Sequence, residues 1–389
     1  MRRIARRISD TSEKSFGMYD KAARLAGAGH DLIHLEIGRP HADTPDNIKQ
    51  ATIAALKAGR VHYTDPRGTP ELRQALATKL RDRNGIDAGP DDILVTNGLT
   101  HASFVTFMAM LDPGDEVILL EPYYPQHPGK IELAGARPVF ARLDAADNFA
   151  IRAEAIEAVI TDRTRMIALI NPANPTGRVY GRDELQILAD IAIRHDLMVA
   201  SDEVYEDIVY DGGRHVSIAA LNGMRDRTVT MFAFTKSFAM DGWRIGYLAA
   251  PGWLMPALQK VAANDVTHVN TFIQDGALAA VTGPGAILDD LVADDRRKRD
   301  FVVASLNQMP GVRCVSPEGT IYAFPDISQT GIPSQRLADM ILEQAHVVVE
   351  AGSFYGAAGE GHLRVCFGSE SMARLEQGMK RLSAFFNGL

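Results

Sequence analysis

The chain has 389 residues, 46% hydrophobic and 23% charged, with a net charge of −8 at pH 7. That composition builds a full core, and the length suits two domains, or one large domain with a smaller companion. The acidic balance argues against nucleic acid as a partner, the cysteines Cys314 and Cys366 cannot make a disulfide framework and fit a reducing compartment, and no apolar run reaches the ~18 residues of a membrane span.

The basic start, MRRIARRIS, lacks a following apolar stretch and does not read as a secretory signal. It is expected to be a solvated arm, or an arm packed on a partner subunit, in a cytoplasmic protein. Further along, apolar runs alternate with helical patterns. Strands are expected at ILVTN from Ile93, EVILLEP from Glu116, RPVFARL from Arg137, RMIALINP from Arg165, LMVASDE from Leu197, TVTMFAF from Thr228 and IGYLAA from Ile245. Between the first two lies a helix from Thr100 to Leu111, apolar on most faces. A second helix, Arg182 to His195, is amphipathic, with Leu185, Leu188, Ala189 and Ala192 on one side. This alternation predicts an α/β fold with a mostly parallel seven-stranded sheet and helices on both faces.

After about Gly283 the pattern changes. A charged helix from Asp289 to Asn307 precedes short strands around VRCVSP and TIYAFP; a helix from Ser334 to Ala345 leads to HVVVE and the strand HLRVCF. The expected division is an N-terminal segment, 1–40, joining the smaller domain; a large domain, 41–283; and a small α+β domain, 284–389.

Open parallel sheets bind ligands at the carboxyl ends of their strands, so the polar residues just past each strand are the candidates. Gly98-Leu99-Thr100 opens a helix whose N-terminus favours an anion. Tyr123 or Tyr124, just past EVILLEP, could stack on a planar ligand, although such an aromatic is more often packing. Asn174, in the turn NPANPTG, presents an amide where an unpaired one is unusual. Asp202 closes an apolar strand, a costly place for a carboxylate unless it meets a cation such as a protonated pyridine ring. Lys236 follows a buried strand, where desolvation favours its neutral, nucleophilic form and a Schiff base, although a lysine reaching to solvent is the commoner case. Arg244 could hold a phosphate, and Arg364, in HLRVCF, suits a carboxylate.

With these residues in order, the sequence resembles the class I/II pyridoxal-phosphate aminotransferases of fold type I, in particular the bacterial aspartate/aromatic subgroup. The markers are LEIGRPHADTP, HYTDPRGTPELR, VTNGLTHA, DPGDEVILLEPYYP, NPANPTG, SDEVYED, TKSFAMDGWRIGY and RVCF, spread from about Ala5 to the C-terminus. The resemblance implies pyridoxal 5′-phosphate as cofactor, no metal, amino acids and 2-oxo acids as substrates, and a homodimer with the site at its interface. Lys236 would carry the cofactor as an imine and shuttle the proton. Asp202 would pair with the ring nitrogen, Tyr205 and Asn174 with the ring oxygen, and Tyr124 would stack on the ring. Gly98, Leu99, Thr100, Thr235, Arg244 and the neighbouring subunit's Tyr63 would form the phosphate site. Arg364 would clamp the substrate α-carboxylate, helped by Asn174 and the Gly38 backbone.

Four positions depart from the pattern. Ala233 stands where many relatives carry a phosphate-binding serine, Asp241 where the residue is usually small or uncharged, Arg39 where it is usually acidic or an amide, and Thr100 where some aspartate-specific relatives have lysine. The expected reaction is transamination by a ping-pong cycle; a β-lyase, cyclase or oxidase would start from the same proton removal. The donor is left open: a dicarboxylic donor would need a cation such as Arg39, Lys14 or His41, and an aromatic or branched one an apolar lining such as Phe16, Met18 and Tyr322.

Overall fold

A computed structural model describes residues 4–9, 11 and 17–389. Lys14 and Phe16 therefore lie outside the described residues. Strand β1 (Ile33–His34) comes first. β2 (Ile93–Thr96), β3 (Glu116–Glu121), β4 (Arg137–Arg142), β5 (Thr164–Ile170), β6 (Met198–Asp202), β7 (Thr228–Ala233) and β8 (Gly246–Ala249) form one seven-stranded sheet in the order β2-β8-β7-β6-β5-β3-β4. All seven fall on the apolar runs expected to be strands. Neighbours are parallel except at β8, which runs antiparallel to both β2 and β7.

β2, β3 and β8 are buried from end to end, and β6 from Val199 onward, because helices cover both faces, which is why they read as continuous apolar runs. β4 at the edge differs: Arg137 and Arg142 are exposed along it, a charged rim that discourages pairing with another chain. Arg137 and Arg142 of β4 also neutralise the ends of β3: Arg137 bonds Glu116, as does Arg163 just before β5, and Arg142 bonds Glu121.

The apolar helix spans Leu99–Met110 and buries Ala102, Val105 and Phe107. The amphipathic helix spans Arg182–Arg194 and buries Leu185, Leu188, Ala189, Ile191 and Ala192. Each large aliphatic side chain buried this way contributes about 1.5–3 kcal/mol.

Past the sheet, the charged helix begins at Gly285 and ends at Leu306, four residues earlier at its start than the charge pattern suggests. VRCVSP is not a strand; its only ladder contact is an isolated bridge between Arg313 and Asp326. TIYAFP supplies β9 (Tyr322–Ala323), HVVVE and the following alanine supply β10 (Val347–Val348) and β11 (Glu350–Ala351), and HLRVCF supplies β12 (Leu363–Cys366). The helix Ser334–Ala345 packs its Leu337, Ala338, Ile341 and Leu342 inward. The antiparallel order β11-β12-β9 places Arg364 on the middle strand. β1 pairs in parallel with β10, so the chain near Ile33 adds to the C-terminal unit, and the loop after it, with Glu36 and Gly38, runs toward the large sheet.

Candidate active site

A cavity of about 550 Å³ opens at the carboxyl edge of the seven-stranded sheet. Its walls include Gly38, Leu99, Thr100, Tyr124, Asn174, Asp202, Tyr205, Thr235, Lys236, Arg244 and Arg364. The fold thus brings together residues up to 326 positions apart in sequence, all but two of those expected in one site. The two exceptions are Gly98 and Tyr63.

Gly98 stands just behind the wall with a left-handed φ of 79°, and a Cβ there would come within 2.7 Å of Arg244 Nη2. Only glycine lets the helix start and the arginine approach so closely. Arg244 reaches this edge because β8 is antiparallel, so its start lies beside the ends of β2 and β7. Arg244 itself has φ 54°, a region sparsely populated by non-glycine residues and often found at functional sites. Its Nη1 donates to the Asp241 carbonyl at 2.9 Å. Tyr63 is 85% exposed, edge-on to His268 at 5.1 Å, and does not touch this cavity within its own chain.

Asp202 ends β6 with 4% of its surface exposed, and its Oδ1 accepts one hydrogen bond, from the Val204 N–H at 3.1 Å. Burial pushes its carboxyl up to about 7, partly opposed by the Val204 N–H and the charges of Lys130 and Lys236. Lys236 follows β7 and donates to the Gly38 carbonyl. Burial holds its amine down at about 8, against the carboxylates of Asp241 and Asp202. Both groups are therefore driven toward their neutral forms. The Tyr205 hydroxyl shares a 2.7 Å hydrogen bond with the Tyr322 hydroxyl, and burial raises both, Tyr322 to about 12. Gly38 is required on steric grounds, since a Cβ would sit 1.9 Å from the Tyr322 oxygen.

In the turn after β5, Asn171 bonds Tyr180 through both ends of its amide and fixes the loop. Asn174 is the one of the pair that lines the cavity. Its Oδ1 accepts from Arg364 Nη1 at 3.1 Å, leaving its NH2 to donate elsewhere. Arg364 Nη2 donates to the Glu36 carbonyl, and the guanidinium lies over the rings of Tyr322 and Tyr355, 4.4 and 5.1 Å from their centroids. Tyr124 lines the cavity, whereas its neighbour Tyr123 is packing, stacked on Phe140.

Of the residues weighed for the donor side chain, Tyr322 lines the cavity; Met18 is in the core, and Arg39 and His41 are exposed and outside the walls. Ala233 is tied up in the β7–β8 ladder opposite Gly246. Sequence reasoning missed Glu36, Glu350, Tyr355 and Phe354, all of which line the cavity. Glu350 could have been found: it closes the apolar run HVVVE, as Asp202 closes its own.

A sequence profile of the family described as aminotransferase class I and II matches residues 30–382, and the chain belongs to that family. It is 38% identical over 370 residues to the aspartate aminotransferase of Musicola paradisiaca, covering 94% of this chain and 92% of the relative. It is 37% identical over 368 residues to aromatic-amino-acid aminotransferase 2 of Thermococcus litoralis, covering 94% and 93%. The solved structure of Thermus thermophilus aspartate aminotransferase with maleate matches it with a TM-score of 0.93 at 35% identity, covering 99% and 100%. The fold is that of the fold type I pyridoxal-phosphate-dependent transferases, and the protein is an enzyme that moves amino groups between an amino acid and a 2-oxo acid.

Proposed function

We propose that the protein binds pyridoxal 5′-phosphate on Lys236 and runs a ping-pong transamination as a cytoplasmic homodimer. The observation that carries this reading is the pair Asp202 and Lys236, which face one cavity and are both shifted toward neutrality by burial. A buried carboxyl with one hydrogen bond has room for a cationic partner, and a protonated pyridine nitrogen is such a partner. A buried amine that gives up its proton around pH 8, rather than above 10, is a competent nucleophile toward an aldehyde. When bound, pyridoxal phosphate supplies that aldehyde carbon and a cationic ring that draws off the electron pair left by a departing proton.

This chain's own groups do the rest. Asp202 holds the ring proton in place. Tyr205 and the Asn174 NH2 donate to the ring oxygen, and Tyr124 covers a ring face. The N–H groups at Gly98, Leu99 and Thr100, the Thr235 hydroxyl and the Arg244 fork bind the phosphate, with Tyr63 of the partner subunit closing it. Arg364 orients the donor by its α-carboxylate. Lys236 Nζ, once displaced by the donor's amine, takes the proton from the donor Cα and returns it during the transfer.

The homodimer is supported by Tyr63, an exposed tyrosine with no role in its own chain's cavity. The cytoplasm is supported by the two free cysteines; among the described residues no single helix is long and apolar enough to cross a membrane. The division near residues 40 and 283 belongs to the same reading, supported by the pairing of β1 with β10. Replacing Lys236 with alanine tests the assignment. Lys236→Ala should lose both amino transfer and the visible absorption of the protein-bound cofactor. Retention of both would overturn it.

A further inference from the structure

The cavity walls carry three cations, Lys236, Arg244 and Arg364, and three carboxylates, Asp202, Glu36 and Glu350. The proposed function occupies Lys236, Arg244, Arg364 and Asp202. It leaves two carboxylates and, among the described residues, no spare lysine or arginine in the wall.

Both carboxylates are built in. Glu36 and Glu350 are each 3% exposed. Glu350 lies directly opposite Arg364 in the β11–β12 ladder, so the two side chains share one face of the sheet. Its Oε2 accepts from the Met18 N–H at 3.3 Å, but its Oε1 has no hydrogen-bond partner among the described residues. Glu36 Oε1 pairs with His34 Nδ1 at 2.9 Å, and its Oε2 likewise has none. Arg364 bonds neither side-chain carboxylate: its Nη1 goes to Asn174 and its Nη2 to the Glu36 carbonyl, while its buried Nε makes no hydrogen bond among the described residues. A buried carboxylate oxygen without a donor is costly and persists where a ligand supplies one.

We propose that Glu350 and Glu36 form a subsite for the side chain of a cationic amino donor, one ending in a guanidinium or ammonium group. The proposal rests on the aminotransferase reading with Arg364 as the α-carboxylate anchor. A donor held there by its carboxylate extends its far end along the same wall, and each carboxylate has an unpaired oxygen, sealed from solvent in the empty cavity, that turns toward it. Burial pushes Glu350 up to about 7 in the absence of such a cation, even with Arg364 nearby, so an arriving cation is what restores its charge. The same wall offers a second carboxylate no cation among the described residues. Aspartate and glutamate are therefore poor donors, and the oxo acid that regenerates the cofactor is small and uncharged beyond its own carboxylate, such as pyruvate.

The test uses the cofactor-loaded enzyme with pyruvate as acceptor and L-arginine, L-lysine, L-alanine or L-aspartate as donor. Arginine or lysine should exceed aspartate in kcat/KM by at least about tenfold. In Glu350→Gln and in Glu36→Gln, the ratio of cationic donor to alanine should fall by about tenfold or more. Calorimetry adds a readout without turnover: 4-guanidinobutyrate, which lacks an α-amino group, should bind wild type more tightly than succinate. A preference for aspartate, tighter succinate binding, or an unchanged ratio in both variants overturns the proposal. Failure of the underlying reading looks different, because then no donor of any charge is turned over.

Discussion

Asn174 Oδ1 accepts a hydrogen bond from Arg364 Nη1 at 3.1 Å, tying the turn after β5 to the middle of β12. The same guanidinium bonds the Glu36 carbonyl and lies over two tyrosine rings. Arg364 is thus fixed from several sides before any substrate arrives, and preorganisation of this kind lowers the entropy lost on binding. A lysine cannot reproduce the planar fork or its contacts with the rings.

Arg364→Lys should therefore lower kcat/KM about 100-fold for every donor, chiefly through KM. Steady-state kinetics with two unrelated donors checks this. An unchanged KM would mean that the α-carboxylate is held elsewhere.

Asp202 gives a prediction about stability as well as rate. Its carboxyl is raised from 3.8 to about 7 on folding, so the folded chain keeps a proton that the unfolded chain releases. Below pH 4 both states are protonated and there is no penalty. Between about 4 and 7 stability falls, and above 7 the full cost remains, on the order of 4 kcal/mol. Asp202→Asn removes that cost. Stripped of cofactor at pH 8, the variant should be more stable than wild type in urea, while its amino-transfer activity is largely lost. A variant less stable than wild type at pH 8 would show that the carboxylate already has a cationic partner in the empty protein.

Tyr63 tests the dimer. Homodimers of Tyr63→Ala lack the tyrosine at both phosphate sites, and homodimers of Lys236→Ala lack both lysines. A mixed dimer has one site with neither defect, provided Tyr63 crosses the interface. Unfolding, mixing and refolding the two variants should restore activity above that of either alone. No recovery would confine Tyr63 to its own chain.

The residues that end apolar strands were legible in the sequence, because a polar group at such a place needs a physical reason. Asp202 and Lys236 were found this way, and the carboxyl-edge rule put Asn174 and the Gly98 turn beside them. Arg244 needed more: it lies before a strand, and only the antiparallel course of β8 brings it to the same edge. The fold was legible where strands are long and buried on both faces. It was less so in the C-terminal unit, where β9, β10 and β11 span two residues each and periodicity has little to work on. VRCVSP has the composition of a strand and makes only one bridge, since pairing there depends on distant neighbours rather than on its own side chains. Glu36 was invisible for another reason: its place in the wall follows from β1 joining β10, a contact between segments more than 300 residues apart.

The central claim is that the amine of Lys236 carries the cofactor. The most direct measurement is reduction of the loaded protein with borohydride, followed by digestion and mass spectrometry of the peptides. The account predicts that the added mass of reduced pyridoxal phosphate appears on the peptide containing Lys236 and on no other. The same mass on a different lysine, or on none after reduction of a coloured, active sample, would contradict it.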